Sequence, residues 1–494
     1  MNARLQPSWA EMKHSPTQRV SVAGLGDVGL NAAVLLSSRG FHVSGVDTDV
    51  AKVKALSNGF SQIHVPGFDA LLRRSLRKKT LAFRSSYEGL SRSKIIFIAV
   101  GTPIRDDGRM DTEYVESASK EVGRQLASAR GYTLVVVKCT VTPGTTEGLV
   151  KHALERESRK EAGACFGLAY NTEFLRKGSH FDVFHPETIV IGGYDKRSTN
   201  TLLRVYDALY TRRPPTILTT PPNAEMMAYA VSAGRASQVS FVNTIANYCT
   251  RVPGCDYDEV RKGLAEVARM DEGYLSAGLG FGGPRLGKDS RTLSFSLKAA
   301  GISSDVVTAA LDVNGGQVRE AIRLAEKLCG SLEGKKVTLL GLAFKAGTDD
   351  IRESAAIALA KVLLRGGAEV TAYDPAAIEN AKNLLGSQVT YAKNARDALR
   401  GSACAFIATD WGAFKRLRPK DFKSLMASPA VVDGRRIYDQ SKFLRAGVRI
   451  STIGTGQRGE GSSWKVEPSS ERLNEWHYVL MDGKIRSGVP TLAL

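Results

Sequence analysis

The sequence predicts an α/β chain: two parallel-sheet domains with a helical region between them. Three observations carry this reading. An apolar run, Val20-Ser21-Val22-Ala23, leads into Gly24-Leu25-Gly26-Asp27-Val28-Gly29, a helical pattern through Leu36, a second strand over 41–46 and an acid, Asp47. A second unit shows the same alternation, with a strand over 335–340, a helix over 355–365, a strand over 368–373 closing at Asp374, and later strands over 403–408 and 430–433. Between the two, residues 223–314 read mainly as helix. Strands that alternate with helices pair in parallel, because each crossover helix returns the chain to the same edge of the sheet.

The first unit is a dinucleotide fingerprint in its proper frame: strand, glycine turn, helix, strand, acid. Both domains are therefore read as Rossmann-like. Gly24 permits the tight turn, Gly26 lets the backbone approach a pyrophosphate at the helix N-terminus, and Gly29 lets helix and strand pack closely. Asp47 accepts hydrogen bonds from a ribose diol and its charge repels a 2′-phosphate, which selects NAD over NADP.

At 494 residues the chain exceeds what one hydrophobic core supports. The expected parts are an N-terminal extension (1–18), an NAD-binding domain (19–215), a central helical domain (216–320), a second Rossmann-like domain (321–454) and a C-terminal extension (455–494). No apolar run approaches the roughly 20 residues of a membrane helix, and the first residues are polar and mixed, so the expected location is cytoplasmic. Six scattered cysteines, with no CxxC pair, are expected to be free thiols and to form no metal site. The net charge of +18 favours attraction of a phosphorylated substrate. The densest basic cluster, at residues 73–79, lacks interleaved aromatics, which disfavours nucleic acid, and reads as a solvated helix end.

Further motifs carry a family resemblance. Gly24-Leu25-Gly26-Asp27-Val28-Gly29-Leu30 is similar to GLGYVGL, Lys138-Cys139-Thr140-Val141-Thr142-Pro143-Gly144-Thr145-Thr146 to KSTVPPGTT, and Asn171-Thr172-Glu173-Phe174-Leu175-Arg176-Lys177-Gly178 to NPEFLREG. Gly278-Leu279-Gly280-Phe281-Gly282-Gly283 with Lys288-Asp289 resembles GxGFGGSCFPKD. Gly341-Leu342-Ala343-Phe344-Lys345 with Thr348-Asp349-Asp350-Ile351-Arg352-Glu353-Ser354 resembles GLAFKxxTDDIRES, and Val432-Asp433-Gly434-Arg435-Arg436 the late DGRN block. In this order, from residue 20 to about 454, they resemble the UDP-glucose/GDP-mannose dehydrogenase family. The resemblance implies an N-terminal NAD domain, a C-terminal domain for a UDP- or GDP-sugar, a homodimer through the central helices, and a role in polysaccharide or glycoconjugate synthesis. It also implies two successive hydride transfers at the sugar's C6, with a cysteine thiolate capturing the intermediate aldehyde.

Carried over by the same resemblance, the cofactor residues are Gly24, Leu25, Gly26, Val28, Gly29, Asp47, Lys52, Thr102, Thr140, Lys288 and, from the other lobe, Arg352. The substrate residues are Glu173, Phe174, Leu175, Arg269, Phe281, Gly282 and Lys345. The catalytic set is Glu173, Thr140, Asp289, Lys288 and Arg285.

Three departures fall on the chemistry. Arg285 stands at the position of the nucleophilic cysteine, and a guanidinium stays protonated and does not attack a carbonyl. Ala228 and Ser232 replace a lysine and an asparagine that, at i and i+4 on one helix face, offer donors to a developing oxyanion. Thr188 stands where an arginine is usual. Arg285 is expected to reach the volume vacated at position 228 and pair with Asp289 or Glu173. Cys139 is expected to be turned away from Thr140 by strand alternation and buried. The consequence is an oxidoreductase restricted to one hydride transfer; the alternatives are a pseudoenzyme that binds NAD and nucleotide sugar, or a polyanion-binding protein.

Overall fold

A computed structural model describes residues 18–61, 63, 67–172 and 186–456. It divides into two compact units, one of residues up to 233 with 288–304, the other of 234–287 with the chain from 305 onward.

The first unit holds an eight-stranded sheet in the order β3-β2-β1-β4-β5-β6-β7-β8. Its strands are β1 (Arg19–Ala23), β2 (His42–Val46), β3 (Leu81–Arg84), β4 (Ile95–Ile98), β5 (Leu134–Val137), β6 (Gly167–Thr172), β7 (Ile189–Gly193) and β8 (Thr216–Thr219). Helices α1 (Asp27–Ser38), α2 (Val50–Ser57), α3 (Phe68–Arg77), α4 (Glu113–Ala127), α5 (Lys151–Ser158) and α6 (Lys196–Leu209) accompany them. Strand β4 shows why a continuous apolar run is needed. Ile95 and Phe97 enter the layer that holds Leu30, Val34 and Leu72, whereas Ile96 and Ile98 enter the opposite layer with Val115 and Val122. A strand covered on both faces has no polar side to present.

The sheet is not wholly parallel. Strand β7 runs antiparallel to β6, and β8 is parallel to β7. The apolar pattern of a strand buried on both faces reads alike in either direction, so this reversal left no mark in the residues.

The second unit carries β9 (Lys336–Leu340), β10 (Glu369–Tyr373), β11 (Thr390–Tyr391), β12 (Cys404–Ile407), β13 (Ala430–Asp433) and β14 (Arg449–Thr452), all parallel, in the order β11-β10-β9-β12-β13-β14. The long helices are α7 (Pro221–Cys249), α8 (Tyr257–Glu266), α9 (Leu286–Ala299), α10 (Asp305–Cys329) and α11 (Ala355–Arg365). The unit boundaries fall within α7, within α9 and at the start of α10.

One turn recurs in both units. Gly24, at φ +91°, donates its N–H to the Val46 carbonyl at 2.8 Å, and the Leu25 N–H meets Asp47 Oδ2 at 2.9 Å. Gly341, at φ +109°, donates to the Tyr373 carbonyl at 2.8 Å, and the Leu342 and Ala343 N–H groups meet Asp374 Oδ2 at 2.8 and 3.1 Å. Positive φ at these two positions is the reason for glycine. Gly29 is constrained differently: a Cβ there would lie 1.8 Å from the Gly24 carbonyl oxygen, whereas one on Gly26 would meet nothing within 4 Å. Gly29→Ala is expected to cost about 3 kcal/mol through backbone displacement, and Gly26→Ala less than about 1 kcal/mol. Urea denaturation of the two variants checks the difference.

Candidate active site

The loops that leave the carboxyl ends of β1, β2, β4 and β5 bring together most of the predicted cofactor residues. The strand order reverses between β1 and β4, and at such a switch point neighbouring loops diverge and leave a crevice. Helix α1 begins after Gly26 with no side chain capping it, while α2 and α6 are capped by Asp49 and Asp195. The first amides of α1 are thus left for a ligand. Asp47 sits beside them. Its Oδ2 takes the Leu25 N–H and, at 2.9 Å, Lys52 Nζ; its Oδ1 takes only the Asp49 N–H at 3.1 Å. Burial acts to raise this carboxyl, but the Lys52 bond and the two amides outweigh it and hold it below its ordinary value. A charged Asp47 with a free acceptor direction suits a ribose diol.

Beyond β4 and β5 lie Thr102 and Thr140, both half-buried in loops. Lys288 Nζ donates to the Thr102 carbonyl at 3.2 Å and lies 3.3 Å from both Thr102 Oγ1 and Asp289 Oδ1. Asp289 is fully buried, and its other oxygen accepts from Ser232 Oγ at 2.8 Å. Sequence reading counted Ser232 as a lost donor. Its hydroxyl is a donor still, now spent on Asp289, and the cation beside that carboxylate is Lys288. Glu173, Phe174 and Leu175 lie outside the described residues.

Helix α7 contributes a residue that sequence reading passed over. Glu225, fully buried and two turns before Ser232, accepts from the Gly144 N–H at 2.6 Å and the Thr146 N–H at 2.8 Å. It ties α7 to the loop that carries Thr140. Burial pushes its carboxyl up to about 7, against the pull of these bonds. A lone acid on a largely apolar helix was the available signal. Ala228 lies between the two positions, fully buried.

Cys139 is buried in the apolar layer as expected, for a different reason. Strand β5 ends at Val137, so alternation does not set its direction; the loop itself tucks the thiol inward. Burial raises that thiol to about 12.

In the second unit the glycine-rich segment 278–283 is locked from three sides. The Gly278 N–H bonds Asn243 Oδ1 on α7 at 2.8 Å, and Asn314 on α10 bonds both the N–H and the carbonyl of Phe281, at 2.7 and 3.0 Å. The Gly283 N–H meets the Arg352 carbonyl at 2.8 Å. A Cβ on Gly282 would lie 2.2 Å from the Glu353 carbonyl oxygen, so glycine there serves packing. Asp350 grips the Arg352 guanidinium at 2.6 Å. Lys345 is half-buried with its ammonium 5.8 Å from the centre of the Phe344 ring, Arg269 is exposed at φ +50°, and Arg285 is half-buried just before α9. Among the described residues, no group of His, Cys, Asp and Glu is placed to hold a metal, and no helix is long and apolar enough to cross a membrane.

Sequence profiles of the UDP-glucose/GDP-mannose dehydrogenase family match three stretches in order. Its NAD binding domain matches residues 18–210, its central domain 222–315 and its UDP binding domain 338–440. UDP-glucose 6-dehydrogenase YwqF of Bacillus subtilis is 36% identical over 88% of this chain and 97% of its own. UDP-glucose 6-dehydrogenase AglM of Haloferax volcanii is 38% identical over 86% of this chain and 98% of its own. The solved UDP-glucose dehydrogenase of the archaeon Pyrobaculum islandicum superposes with a TM-score of 0.83 at 36% identity, covering 92% of this chain and 100% of that one.

Glu225 makes a pH prediction. With its folded-state value near 7 against an ordinary 4.5, the folded protein holds this proton more tightly than the unfolded chain. Its contribution to stability is therefore complete below about pH 4.5 and is lost as pH rises through about 7. Glu225→Gln is expected to remove that slope and, because the protonated carboxyl at pH 5 likewise offers one carbonyl oxygen, to change stability there by less than about 1.5 kcal/mol. Urea midpoints of both proteins at pH 5 and pH 8 measure it.

Proposed function

We propose a function from one premise: the chain belongs to the UDP-glucose/GDP-mannose dehydrogenase family. It is an NAD-dependent oxidoreductase of the nucleotide-sugar dehydrogenase kind. Our finer reading is that it oxidises a CH–OH group of a UDP- or GDP-sugar by two electrons and releases the carbonyl product. The observation that carries this is Arg285 at the position of the family's nucleophilic cysteine.

The residues present fit NAD. The uncapped start of α1, the open space over Gly26 and the free acceptor direction of Asp47 lie at one crevice, while Leu25 and Val28 pack into the layer beneath and Gly29 lets α1 approach Gly24. Asp47 and Lys52 would hold the ribose, with Thr102, Thr140 and Lys288 further along. Bound NAD supplies a hydride acceptor for the alcohol carbon.

The chain must then remove the hydroxyl proton and place the sugar. Asp289 is poorly suited as the base, because it is fully buried and its oxygens face Ser232 and Lys288. We assign the base to Glu173, directly or through a water, and give Asp289 the task of fixing the Lys288 ammonium. Phe174, Leu175, Arg269, Phe281, Gly282 and Lys345 are assigned to the sugar nucleotide. Arg285 offers charge but no thiolate, so an aldehyde formed here has no covalent trap. Ala228 has no donor and the Ser232 hydroxyl is occupied, so the oxyanion of a hydrated aldehyde also lacks support, worth a few kcal/mol per donor.

Phe241 and Tyr248 lie seven residues apart on one face of α7, 49% and 55% exposed. That apolar face supports a homodimer through the central helices. The described cysteines are all unbridged, which fits a cytoplasmic enzyme.

With NAD and a panel of UDP- and GDP-sugars, one equivalent of NADH and a hydrazine-trappable carbonyl are expected. Two equivalents with a uronic acid product would overturn the two-electron reading. Binding of both ligands without NADH would instead establish a pseudoenzyme, the reading favoured by the missing donor at Ala228. Installing the family residues together (Ala228→Lys, Ser232→Asn, Arg285→Cys) is expected to bring the second equivalent, whereas Arg285→Cys alone raises it by less than about tenfold over background.

A further inference from the structure

Away from the cofactor crevice, the first unit has a second concavity, of about 580 Å³, over the sheet face at β1, β2 and β3. Its origin is topological. Helices α1 and α3 cover the other face of these strands, with Leu30, Leu72 and Phe68 packed into that layer. On this face the connection from β3 to β4 spans only residues 85–94 and carries one 3₁₀ turn, Leu90–Arg92. A single turn covers far less sheet than a crossover helix.

The side chains left on this face are cationic. Strand period and register place Arg19 opposite His42, and Ser44 opposite Ala82, with Arg84 two residues further along β3. Lys79 and Arg92 enter from the flanking loops. Arg19, Lys79, Arg84 and Arg92 have no carboxylate partner among the described residues, and Glu88 is the only acid on the cleft lining. Several other cations in this unit do have carboxylate partners, as Arg124 with Glu157, Arg213 with Asp207 and Lys151 with Glu155. The floor also carries an unsatisfied acceptor and donor, since Ser44 Oγ has no hydrogen-bond partner.

We propose that this cleft is a binding site for a small, multiply phosphorylated molecule, separate from the NAD crevice. Four unpaired permanent cations repel one another until an anion joins them, and three are arginines, whose planar fork takes two phosphate oxygens at once. The volume falls within the range of small-molecule sites, roughly 300–1,000 Å³. The lining has no phenylalanine, tyrosine or tryptophan on which a base would stack, which sets the site apart from a single-stranded nucleic-acid groove.

Calorimetric titration of the full-length protein with inorganic tripolyphosphate, at saturating NAD, tests this. One site is expected, weakening as sodium chloride rises. Arg19→Glu/Arg92→Glu should weaken it at least about tenfold, while Arg74→Glu/Arg77→Glu, an equal change of charge on α3, should leave it within about twofold. If the first pair fails to fold, phenylglyoxal labelling of the unaltered protein substitutes: tripolyphosphate should protect Arg19, Arg84 and Arg92 but not Arg74 or Arg77. Equal losses in the two variant pairs, displacement by NAD, no binding or protection, or tighter binding of a single-stranded RNA oligomer would each overturn the assignment.

Discussion

A carboxylate bonded to the backbone of a glycine turn organises each half of this chain. In both sheets the acid that follows the second strand accepts from the amide that follows the first strand's glycine, tying together the carboxyl ends of two strands that pair along their length. Hydrogen bonds to a charged acceptor are worth about 1.5–3 kcal/mol, and here they also fix the turn from which the next helix starts. The two copies then diverge. Asp374 is nearly fully buried and all its acceptor directions are used: Leu342 and Ala343 on one oxygen with Trp411 Nε1 at 3.2 Å, and Ala376 and Ala377 on the other. Asp47 keeps one oxygen bound only to Asp49 and stays partly exposed. The same device closes a turn in one sheet and leaves an acceptor for a ribose in the other.

Helix α7 applies a second constraint. Glu225 and Ser232, seven residues apart and so on one face, hold the Thr140 loop and Asp289 respectively. Helix α7 thus fixes the Thr140 loop through Glu225 and Asp289 through Ser232, while Lys288 is held between Asp289 and Thr102.

Local patterns were readable in the residues and spatial ones were not. The glycine turns, the strand over 430–433 and the helix over 355–365 announce themselves because φ, double burial and helical period act over a few positions. The reversal of β7 was silent because direction is set by a connection rather than by side chains. Ser232 read as a loss because its partner lies 57 residues away in sequence. Asn243, fully buried in the middle of α7, was a missed signal: a buried amide in an apolar helix needs a partner, here Gly278.

In the proposed reading, a thiol absent at position 285 matters more than a lysine absent at position 228. A missing oxyanion donor slows a step by a finite factor, and water or a neighbouring cation restores part of it. A missing nucleophile removes an intermediate altogether. Cys139 does not fill that place: with its thiol raised to about 12 by burial, about one molecule in a hundred thousand carries the thiolate at pH 7. Its sulfur also faces the apolar layer rather than the loop surface. In the proposed reaction, whatever happens to the carbonyl after the first oxidation depends on how long it stays bound. In that reading, residual acid formation would proceed through its hydrate, with charge supplied by Arg285.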